Sequence, residues 1–112
     1  MRAMQGIGID IEEKDRFIHI RFLDRFLEFI MTKQEIEIAK LQPDIMRYIG
    51  SRFVAKEAVV KAVPEIITYR DFEIQKKDKK IVVIFNERYK KYKVHLSISH
   101  APAYYAAVAI VE

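Results

Sequence analysis

The spacing of apolar residues predicts a strand followed by helices in the first half of the chain. Isoleucines alternate with glycine or acidic residues over residues 5–11, which is the period-two pattern of a β-strand. Phe, Leu and Ile recur every three or four positions over residues 16–29, which is the pattern of a helix. Thr32 and Glu35 form a capping box, which predicts that another helix starts there and runs to about residue 41.

A long helix is predicted next, over residues 44–63. Asp44 is a favoured N-cap residue, and Pro64 cannot continue a helix. Apolar side chains cover most of the circumference of this helix. Arg52 and Lys56, four positions apart, point into the apolar arc, where a charge is costly unless it is paired. The pattern therefore indicates that the helix holds two cations for a partner.

The second half of the chain predicts strands, because β-branched and aromatic residues dominate it. A charged turn, KKDKK, separates the first two strands, and a short polar helix or turn covers residues 86–92. The predicted strands are residues 71–76, 80–85, 94–99 and 104–111. One strand, then helices, then several strands indicates an α+β fold, in which the long central helix packs on an antiparallel sheet.

Composition narrows the class of protein. A chain of 112 residues predicts a single domain, residues 1–112, near the lower end of the ~100–200 residues of a typical domain. With 51% hydrophobic and 32% charged residues, the composition is that of a globular protein and not of a disordered one. The net charge of +4 favours phosphates, acidic proteins or nucleic acid as partners, without choosing among them.

Three features of the sequence predict a cytoplasmic location. Cysteine is absent, which excludes disulfides and thiolate metal ligands and fits the cytosol. The N-terminal segment reaches acidic side chains too early for a signal peptide. No apolar run approaches the ~18–20 residues that span a membrane.

Two acidic residues on the first strand are candidate metal ligands. Asp10 and Glu12 are two positions apart, so both project from one face of the strand. Mg²⁺ takes one or two carboxylates and fills its remaining positions with water and phosphate. The alternative is a solvated strand end with two exposed acids. Gly6 and Gly8 are a weak dinucleotide-binding signal, because the third glycine is missing and no helix begins there.

Two further pairs carry candidate chemistry. Glu57 and Lys61, at (i, i+4) on the long helix, are either a surface ion pair or part of a phosphate site. Ser99 and His100 end a strand, but adjacent strand residues point apart and no G-x-S-x-G elbow is present. A phosphate or ribose contact is therefore favoured over a nucleophile pair, with a plain polar strand end as the alternative.

A basic strip lies on the first helical stretch. Arg16, Arg21 and Arg25 recur there beside phenylalanines. Such a strip binds nucleic acid, docks an acidic protein helix, or is a solvated face over an aromatic core. The sequence does not separate these three interpretations.

Taken together, the motifs resemble those of the holo-acyl-carrier-protein synthases, the small single-domain 4′-phosphopantetheinyl transferases. The matching motifs are, in order, GIGIDI at 6–11, RFLEFIMTKQE at 25–35, RFVAKEAVVKA at 52–62, DFEI at 71–74, VHLSISH at 94–100 and YYAAVAIVE at 104–112. They cover nearly the whole chain. The resemblance implies a 4′-phosphopantetheinyl transferase-like fold, assembled as a homotrimer with its sites between protomers.

The resemblance also implies a reaction. The 4′-phosphopantetheine group of coenzyme A passes to a serine of apo-acyl carrier protein, giving holo-carrier protein and 3′,5′-ADP. The step is expected to depend on Mg²⁺ and to serve fatty acid biosynthesis, with neither nucleic acid nor a membrane as partner. The alternative is a basic adaptor that binds an acidic protein or nucleic acid on the same fold without catalysis.

The same resemblance assigns roles to residues. It implies that Asp10, Glu57 and Lys61 are catalytic and that Asp10 and Glu57 bind the metal. The coenzyme A contacts that it implies are Arg52, Lys56, Lys61, Ser99 and His100. The acidic carrier protein would meet Arg16, Arg21 and Arg25. Of the two embedded cations, we expect Arg52 to brace a neighbouring subunit or strand.

The chain departs from the family pattern in three places. Val63-Pro64-Glu65-Ile66 stands where the family has a glycine-rich F-G-T-G turn, which leaves open how backbone amides reach the pyrophosphate. Lys77-Asp78-Lys79-Lys80 replaces a G-K-P turn and predicts a shortened hairpin. Glu12 stands where many small synthases have a neutral residue, and it matches the G-I-D-I-E pattern of larger transferases. We therefore predict that Glu12 is a third metal ligand, directly or through water.

Overall fold

The strands form two antiparallel sheets in the computed structural model of the chain, which describes residues 3–112. The first two residues of the predicted domain 1–112 lie outside the described residues. The first sheet has the order β1-β5-β4, where β1 is Gly6–Glu13, β4 is Val94–His100 and β5 is Tyr104–Val111. The second is a hairpin of β2, Phe72–Lys77, and β3, Lys80–Phe85. The prediction of an α+β fold with antiparallel pairing is confirmed.

Four α-helices lie between β1 and β2. They are α1, Asp15–Ile18; α2, Leu23–Ile30; α3, Lys33–Lys40; and α4, Ile45–Ala62. A 3₁₀ turn follows β3 at Glu87–Tyr89. Both predicted helix starts are confirmed: Thr32 and Glu35 make the reciprocal bonds of a capping box, and Asp44 Oδ1 accepts from the backbone N–H of Arg47 at 3.0 Å.

The single helix predicted over residues 16–29 is wrong, because α1 and α2 are separate. The Phe17 ring is completely buried, with ring centroids 5.7 Å from Phe53 and 5.9 Å from Tyr105. Leu27 and Ile30 are buried on α2. On one continuous helix they would lie about 80° and 140° around the axis from Phe17. The break at residues 19–22 lets all three side chains reach the core.

Two glycines let β1 pack directly on α4. A Cβ added to Gly6 would lie 1.8 Å from the carbonyl oxygen of Ala62, and one added to Gly8 would lie 2.0 Å from that of Ala58. A side chain at either position is therefore excluded unless the backbones separate. The glycines of GIGIDI serve this close approach, which replaces the weak dinucleotide-binding interpretation.

The other face of the three-stranded sheet is open. Since Gly6, Gly8 and Asp10 face α4, the alternate residues of β1 face away from it. Ile7, Ile9 and Ile11 are 59%, 68% and 63% exposed. An apolar row of this kind on one sheet face is a candidate interface.

The hairpin turn carries two residues with positive φ, Asp78 at 49° and Lys79 at 67°. This is the geometry of a two-residue type I′ turn, which fits the right-handed twist of the strands. The prediction of a short hairpin at the charged turn is confirmed. No helix within residues 3–112 is long and apolar enough to cross a membrane.

Candidate functional site

A buried carboxylate and a lysine meet where β1 lies against α4. Lys61 Nζ donates to Asp10 Oδ1 at 3.1 Å and to the carbonyl oxygen of Ile9 at 3.1 Å. Asp10 is only 9% exposed, and its Oδ2 is buried without a hydrogen-bond partner in the described part of the chain. An unsatisfied buried acceptor is costly, so a donor or a cation at Oδ2 would be stabilising. Asp10 is thus the first element of a candidate site.

Glu57, one helical turn before Lys61, supplies a second carboxylate. The Tyr69 hydroxyl donates to Glu57 Oε1, and no hydrogen bond reaches Oε2 from residues 3–112. Burial, the hydrogen bond to Glu57 and the charges of Glu57 and Asp10 together raise the pKa of Tyr69 to about 12. Because Lys61 bonds to Asp10 and follows Glu57 by one helical turn, both carboxylates lie where β1 meets α4.

The structure places Glu12 with an arginine. Arg16 Nη1 lies 2.5 Å from Glu12 Oε2, and the arginine also lies over the Phe53 ring. Burial raises the pKa of Glu12, Arg16 opposes the rise, and the Asp10 charge adds to it. Glu12 is therefore beside Asp10, with its charge already neutralised by Arg16.

The donor set fits Mg²⁺ with two protein carboxylates. No group of three or more His, Cys, Asp or Glu among the described residues is arranged to hold a metal ion. The three-ligand set of Asp10, Glu12 and Glu57 predicted from the sequence is therefore not assembled. Asp10 Oδ2 and Glu57 Oε2 are acceptors without partners among residues 3–112, and Mg²⁺ commonly takes one or two carboxylates and completes its shell with water and phosphate.

The prediction that Lys56 contacts coenzyme A is wrong for this conformation of the chain. Lys56 is completely buried, and Nζ donates to Glu35 Oε1 at 2.5 Å. Nζ also donates to the carbonyl oxygens of Tyr69 at 2.6 Å and Phe72 at 2.9 Å. Burial lowers the pKa of Lys56, and the Glu35 carboxylate opposes that shift. With its three donors satisfied inside the protein, Lys56 has none left for a ligand.

Within the chain the brace is Lys56. Arg52, expected to brace a neighbouring subunit or strand, bonds to no strand among residues 3–112, and its contact with a neighbouring subunit stays a prediction. Arg52 lies over the Tyr48 ring, with 4.6 Å from the guanidinium carbon to the ring centroid. Its Nη1 donates to Ser51 Oγ at 3.4 Å, and its buried Nε has no partner. No carboxylate of the described residues pairs with Arg52. A guanidinium held in place but left without an anion is suited to bind one.

Arg52 lines a basic cavity of about 600 Å³. Its cationic and imidazole side chains are Arg47, Arg52, Lys76, Lys79 and His100. Arg47 Nη2 lies 2.8 Å from His100 Nε2, which orients both groups. One carboxylate, Asp44, also lines the cavity, so the concave surface keeps a net positive charge, which favours a ligand that carries phosphate groups.

Ser99 does not share this cavity. His100 and Ile98 line it, so Ser99 between them points to the open face of the sheet, and it is exposed there. The two residues predicted as neighbours along the coenzyme A site are therefore separated by the sheet within one chain.

The three arginines of the basic strip lie on α1, on α2 and in the connection between them. Arg16 is engaged with Glu12, whereas Arg25 on α2 lies over the exposed Phe22 ring at 5.5 Å. Arg21 is exposed beside them and lines the same shallow surface as Arg25. The surface near α2 thus combines cations with an exposed aromatic ring.

The turn that replaces the glycine-rich motif is held by tyrosines. Tyr89 Oη donates to the carbonyl oxygen of Ile66 at 3.1 Å, and the Tyr92 hydroxyl donates to Glu65 Oε2. Lys91 Nζ lies 3.2 Å from the same carboxylate oxygen. These side-chain contacts from residues 89–92 hold the backbone of the turn in place without glycines.

Sequence reasoning missed five contributors to the site: Tyr69, Glu35, and Arg47, Lys76 and Lys79 of the basic cavity. Tyr69 lies in a connection without periodicity, and the sequence around Glu35 indicates only a capping residue. Lys79 belongs to the hairpin turn, and its proximity to His100 depends on the packing of β3 against β4. The density of lysines in that turn was the one signal that pointed to a role for it.

The chain is similar to known proteins over nearly its full length. The profile described as the 4′-phosphopantetheinyl transferase superfamily matches residues 6–109. The holo-[acyl-carrier-protein] synthase of Caldicellulosiruptor saccharolyticus is 37% identical over 117 residues, covering 96% of this chain and 95% of that protein. That of Clostridium acetobutylicum is 36% identical over 123 residues, covering 97% and 98%.

Solved structures agree with the sequence matches. The crystal structure of a holo-(acyl-carrier-protein) synthase from Bacillus anthracis, in complex with CoA (3′,5′-ADP), superimposes with a TM-score of 0.83 and 36% identity, covering 98% of both chains. That of Neisseria meningitidis gives a TM-score of 0.89 at 27% identity, covering 98% of this chain and 99% of the other. The chain therefore belongs to the 4′-phosphopantetheinyl transferase superfamily and, within it, to the holo-[acyl-carrier-protein] synthases.

Proposed function

We propose that the chain transfers the 4′-phosphopantetheine group of coenzyme A to a serine of an apo-acyl carrier protein. The products are holo-carrier protein and 3′,5′-ADP, and the reaction serves fatty acid biosynthesis in the cytoplasm. The observation that carries the proposal is the ion pair of Lys61 with Asp10, whose second oxygen is buried without a partner among residues 3–112, one helical turn from Glu57 on α4. The family membership and the coenzyme A complex of the Bacillus anthracis relative support it.

The chemistry is displacement at phosphorus. The serine oxygen forms a bond to the phosphorus that carries pantetheine, the serine proton is released, and the bond from that phosphorus to the oxygen of 3′,5′-ADP breaks. Negative charge grows on the leaving phosphate, so the main demand on the protein is fixed positive charge. Lys61, held by Asp10 and by the Ile9 carbonyl, provides an ammonium group at this position.

Asp10 and Glu57 would hold the metal. A Mg²⁺ ion held there would supply charge neutralisation for the pyrophosphate. Both carboxylates offer an oxygen without a protein partner, and Lys61 limits their mutual repulsion by neutralising Asp10.

The basic cavity would hold the nucleotide half of coenzyme A. Arg52 and His100 were predicted for this role, and Arg47, Lys76 and Lys79 join them. Arg52 is the strongest candidate, because its guanidinium is fixed on Tyr48 and lacks a carboxylate. The arginines at 16, 21 and 25 would meet the acidic carrier protein, since cations beside an exposed ring favour an acidic amphipathic helix.

We also propose a homotrimer with sites between protomers. The row of Ile7, Ile9 and Ile11 is exposed in the single chain and would be covered by another copy. On α4, Arg52 and Glu57 lie about 140° apart around the axis, so one small ligand does not reach both from one side. An assembly that brings the cavity of one protomer to the carboxylates of the next resolves this separation, and it gives Ser99 on the open face a place near the site.

Mass spectrometry of the carrier protein tests the function. Purified protein is incubated with coenzyme A, Mg²⁺ and apo-acyl carrier protein, and the carrier is expected to gain the mass of one phosphopantetheine group. Asp10→Ala and Glu57→Ala should abolish the gain with unchanged circular dichroism, whereas Glu37→Ala, which removes an exposed carboxylate on α3, should not. No gain on any of several carriers would sink the proposal and favour the adaptor alternative.

A further inference from the structure

Tyr69 is held at three points beside the candidate site. Its carbonyl oxygen accepts from Lys56 Nζ at 2.6 Å. Its ring packs against Phe29 and Phe53, with centroid separations of 5.5 and 6.4 Å. Its hydroxyl donates to Glu57 Oε1. Because Lys56 and Glu57 are consecutive on α4, one turn of that helix fixes both the main chain and the hydroxyl of this tyrosine.

The hydroxyl restricts a side chain that is otherwise mobile. The terminal torsion of a glutamate is a broad, roughly two-fold rotor, so an unrestrained carboxylate samples many orientations. The bond from Tyr69 fixes Oε1 and leaves Oε2 as the oxygen of Glu57 without a protein hydrogen bond. Because Tyr69 is itself held in place, its hydrogen bond also fixes the orientation of Glu57 Oε2.

We propose that Tyr69 is a positioning residue for Glu57. The hydrogen bond from the Tyr69 hydroxyl to Glu57 Oε1 directs Glu57 Oε2 toward a divalent cation that Asp10 also binds. The inference rests on the proposed function, and it adds a residue outside the predicted site. Carboxylate ligands are commonly held by such outer hydrogen bonds, and loss of the outer partner typically costs about 10–100-fold in metal affinity or activity.

The competing hypothesis is that the Tyr69 hydroxyl weakens metal binding by Glu57. If the hydroxyl occupied the lone pair that the cation needs, its removal would strengthen metal binding. A carboxylate has about four lone-pair positions on two oxygens, so one hydrogen bond on Oε1 leaves Oε2 fully available. The position of the hydroxyl therefore favours support over competition, and the two effects differ in sign.

Tyr69→Phe tests the inference, because it removes the hydroxyl and keeps the ring on Phe29 and Phe53. Mn²⁺ is the probe, since carboxylate and water ligands suit Mn²⁺ as they do Mg²⁺. The dissociation constant of Mn²⁺ from the full-length protein is measured by electron paramagnetic resonance, with and without coenzyme A. The Mg²⁺ concentration for half-maximal transfer is measured in parallel. We expect both constants to rise about tenfold or more, with kcat at saturating Mg²⁺ nearly unchanged.

Tyr89→Phe is the matched control, because its hydroxyl bonds to the carbonyl of Ile66 in the same connection and not to Glu57. It should leave both constants within about twofold of the wild type, since it alters no carboxylate. Equal constants in Tyr69→Phe and wild type, or tighter Mn²⁺ binding in Tyr69→Phe, overturn the inference. A wild type that transfers the group but binds no Mn²⁺ overturns the inference and leaves transfer standing. A wild type that does neither overturns both.

Discussion

Lys56 Nζ lies 2.5 Å from Glu35 Oε1, and the two side chains are 0% and 1% exposed. Glu35 Oε1 also accepts from the backbone N–H of Thr32 at 3.0 Å, and Oε2 accepts from that of Ile74 at 2.8 Å. The pair thus joins the cap of α3, the middle of α4 and the beginning of β2. Lys56 Nζ uses all three of its donors, and both carboxylate oxygens of Glu35 accept hydrogen bonds, which is the condition under which a buried ion pair is tolerated.

Removing the Lys56 ammonium group should lower the free energy of unfolding much more than removing the Arg52 guanidinium group. Lys56→Met leaves the Glu35 carboxylate buried without its cation, and we expect a loss of about 3–5 kcal/mol in the free energy of unfolding. Arg52→Met is the matched control and should cost less than about 1 kcal/mol, because Arg52 has no carboxylate partner within residues 3–112. Urea denaturation measures both. Equal losses would contradict the assignment of Lys56 as the brace.

The turn at Glu65 should carry a specific dependence on pH. The hydrogen bond from Tyr92, and then that from Lys91, holds the pKa of Glu65 below its ordinary value of 4.5. A lowered pKa means that the charged carboxylate is favoured in the folded state. This stabilisation is complete well above pH 4.5 and is lost as the pH falls through the folded-state pKa. We expect the pKa of Glu65 to rise toward 4.5 in Tyr92→Phe, as measured by ¹³C NMR of its side-chain carboxyl.

Tyr89→Phe provides the comparison for this titration. Its hydroxyl bonds to the neutral carbonyl of Ile66, so the Glu65 pKa should stay at the wild-type value. The difference in stability between wild type and Tyr92→Phe should also shrink on acidification. A Glu65 pKa that is equal in wild type and Tyr92→Phe would mean that the tyrosine does not hold the carboxylate.

Charge reversal on α2 should weaken recognition of the carrier protein. Arg25→Glu places a negative charge beside Phe22, and we expect KM for the carrier to rise by roughly an order of magnitude while KM for coenzyme A stays the same. The effect should diminish at high salt, where surface charges are screened. Arg88→Glu makes the same change of charge on the 3₁₀ turn and serves as the control. Equal effects of the two variants would point to net charge and not to a docking surface.

Glu12→Gln separates a metal ligand from a partner of Arg16. Because Glu12 is neutralised by Arg16 at 2.5 Å, we expect the Mg²⁺ concentration for half-maximal transfer to change by less than about threefold. Glu57→Gln should change the same constant by tenfold or more, on the order of a lost ligand. A large and equal shift in Glu12→Gln would restore the three-ligand prediction made from the sequence.

A charge on the open face of the sheet should disrupt assembly. Ile9→Asp places a carboxylate in the middle of the exposed isoleucine row, and we expect a protomer-sized species by light scattering after size exclusion. Ile66→Asp is the control, because Ile66 is 92% exposed and outside this row. An unchanged mass for Ile9→Asp would mean that the row does not form the interface.

Elements with local signals were predictable from the sequence. The capping box at Thr32, the cap at Asp44 and the period-two strands depend on neighbours within a few residues, and the structure has them where the patterns place them. The break between α1 and α2 depends instead on the burial of Phe17 against Phe53 and Tyr105, which are distant in sequence. The spacing of apolar residues does not report such a constraint, so it predicts one helix where the structure has α1 and α2.

The candidate site was predictable in its residue types but not in all of their pairings. The helical wheel identified Arg52 and Lys56 as misplaced cations, yet the partner that distinguishes them, Glu35, lies on another helix. The role of Tyr69 was invisible because its position on Glu57 comes from the path of a loop. Pairings between residues on different elements can be identified only once the three-dimensional structure is known.

The contact of the two glycines with α4 makes the position of Asp10 a property of the main chain. Main chain touches main chain at Gly6 and Gly8, so the separation of Asp10 from α4 is set by the thickness of two backbones and not by a choice of side-chain rotamers. A single methyl group at either glycine would force the two backbones apart, so we expect it to move Asp10 away from Lys61.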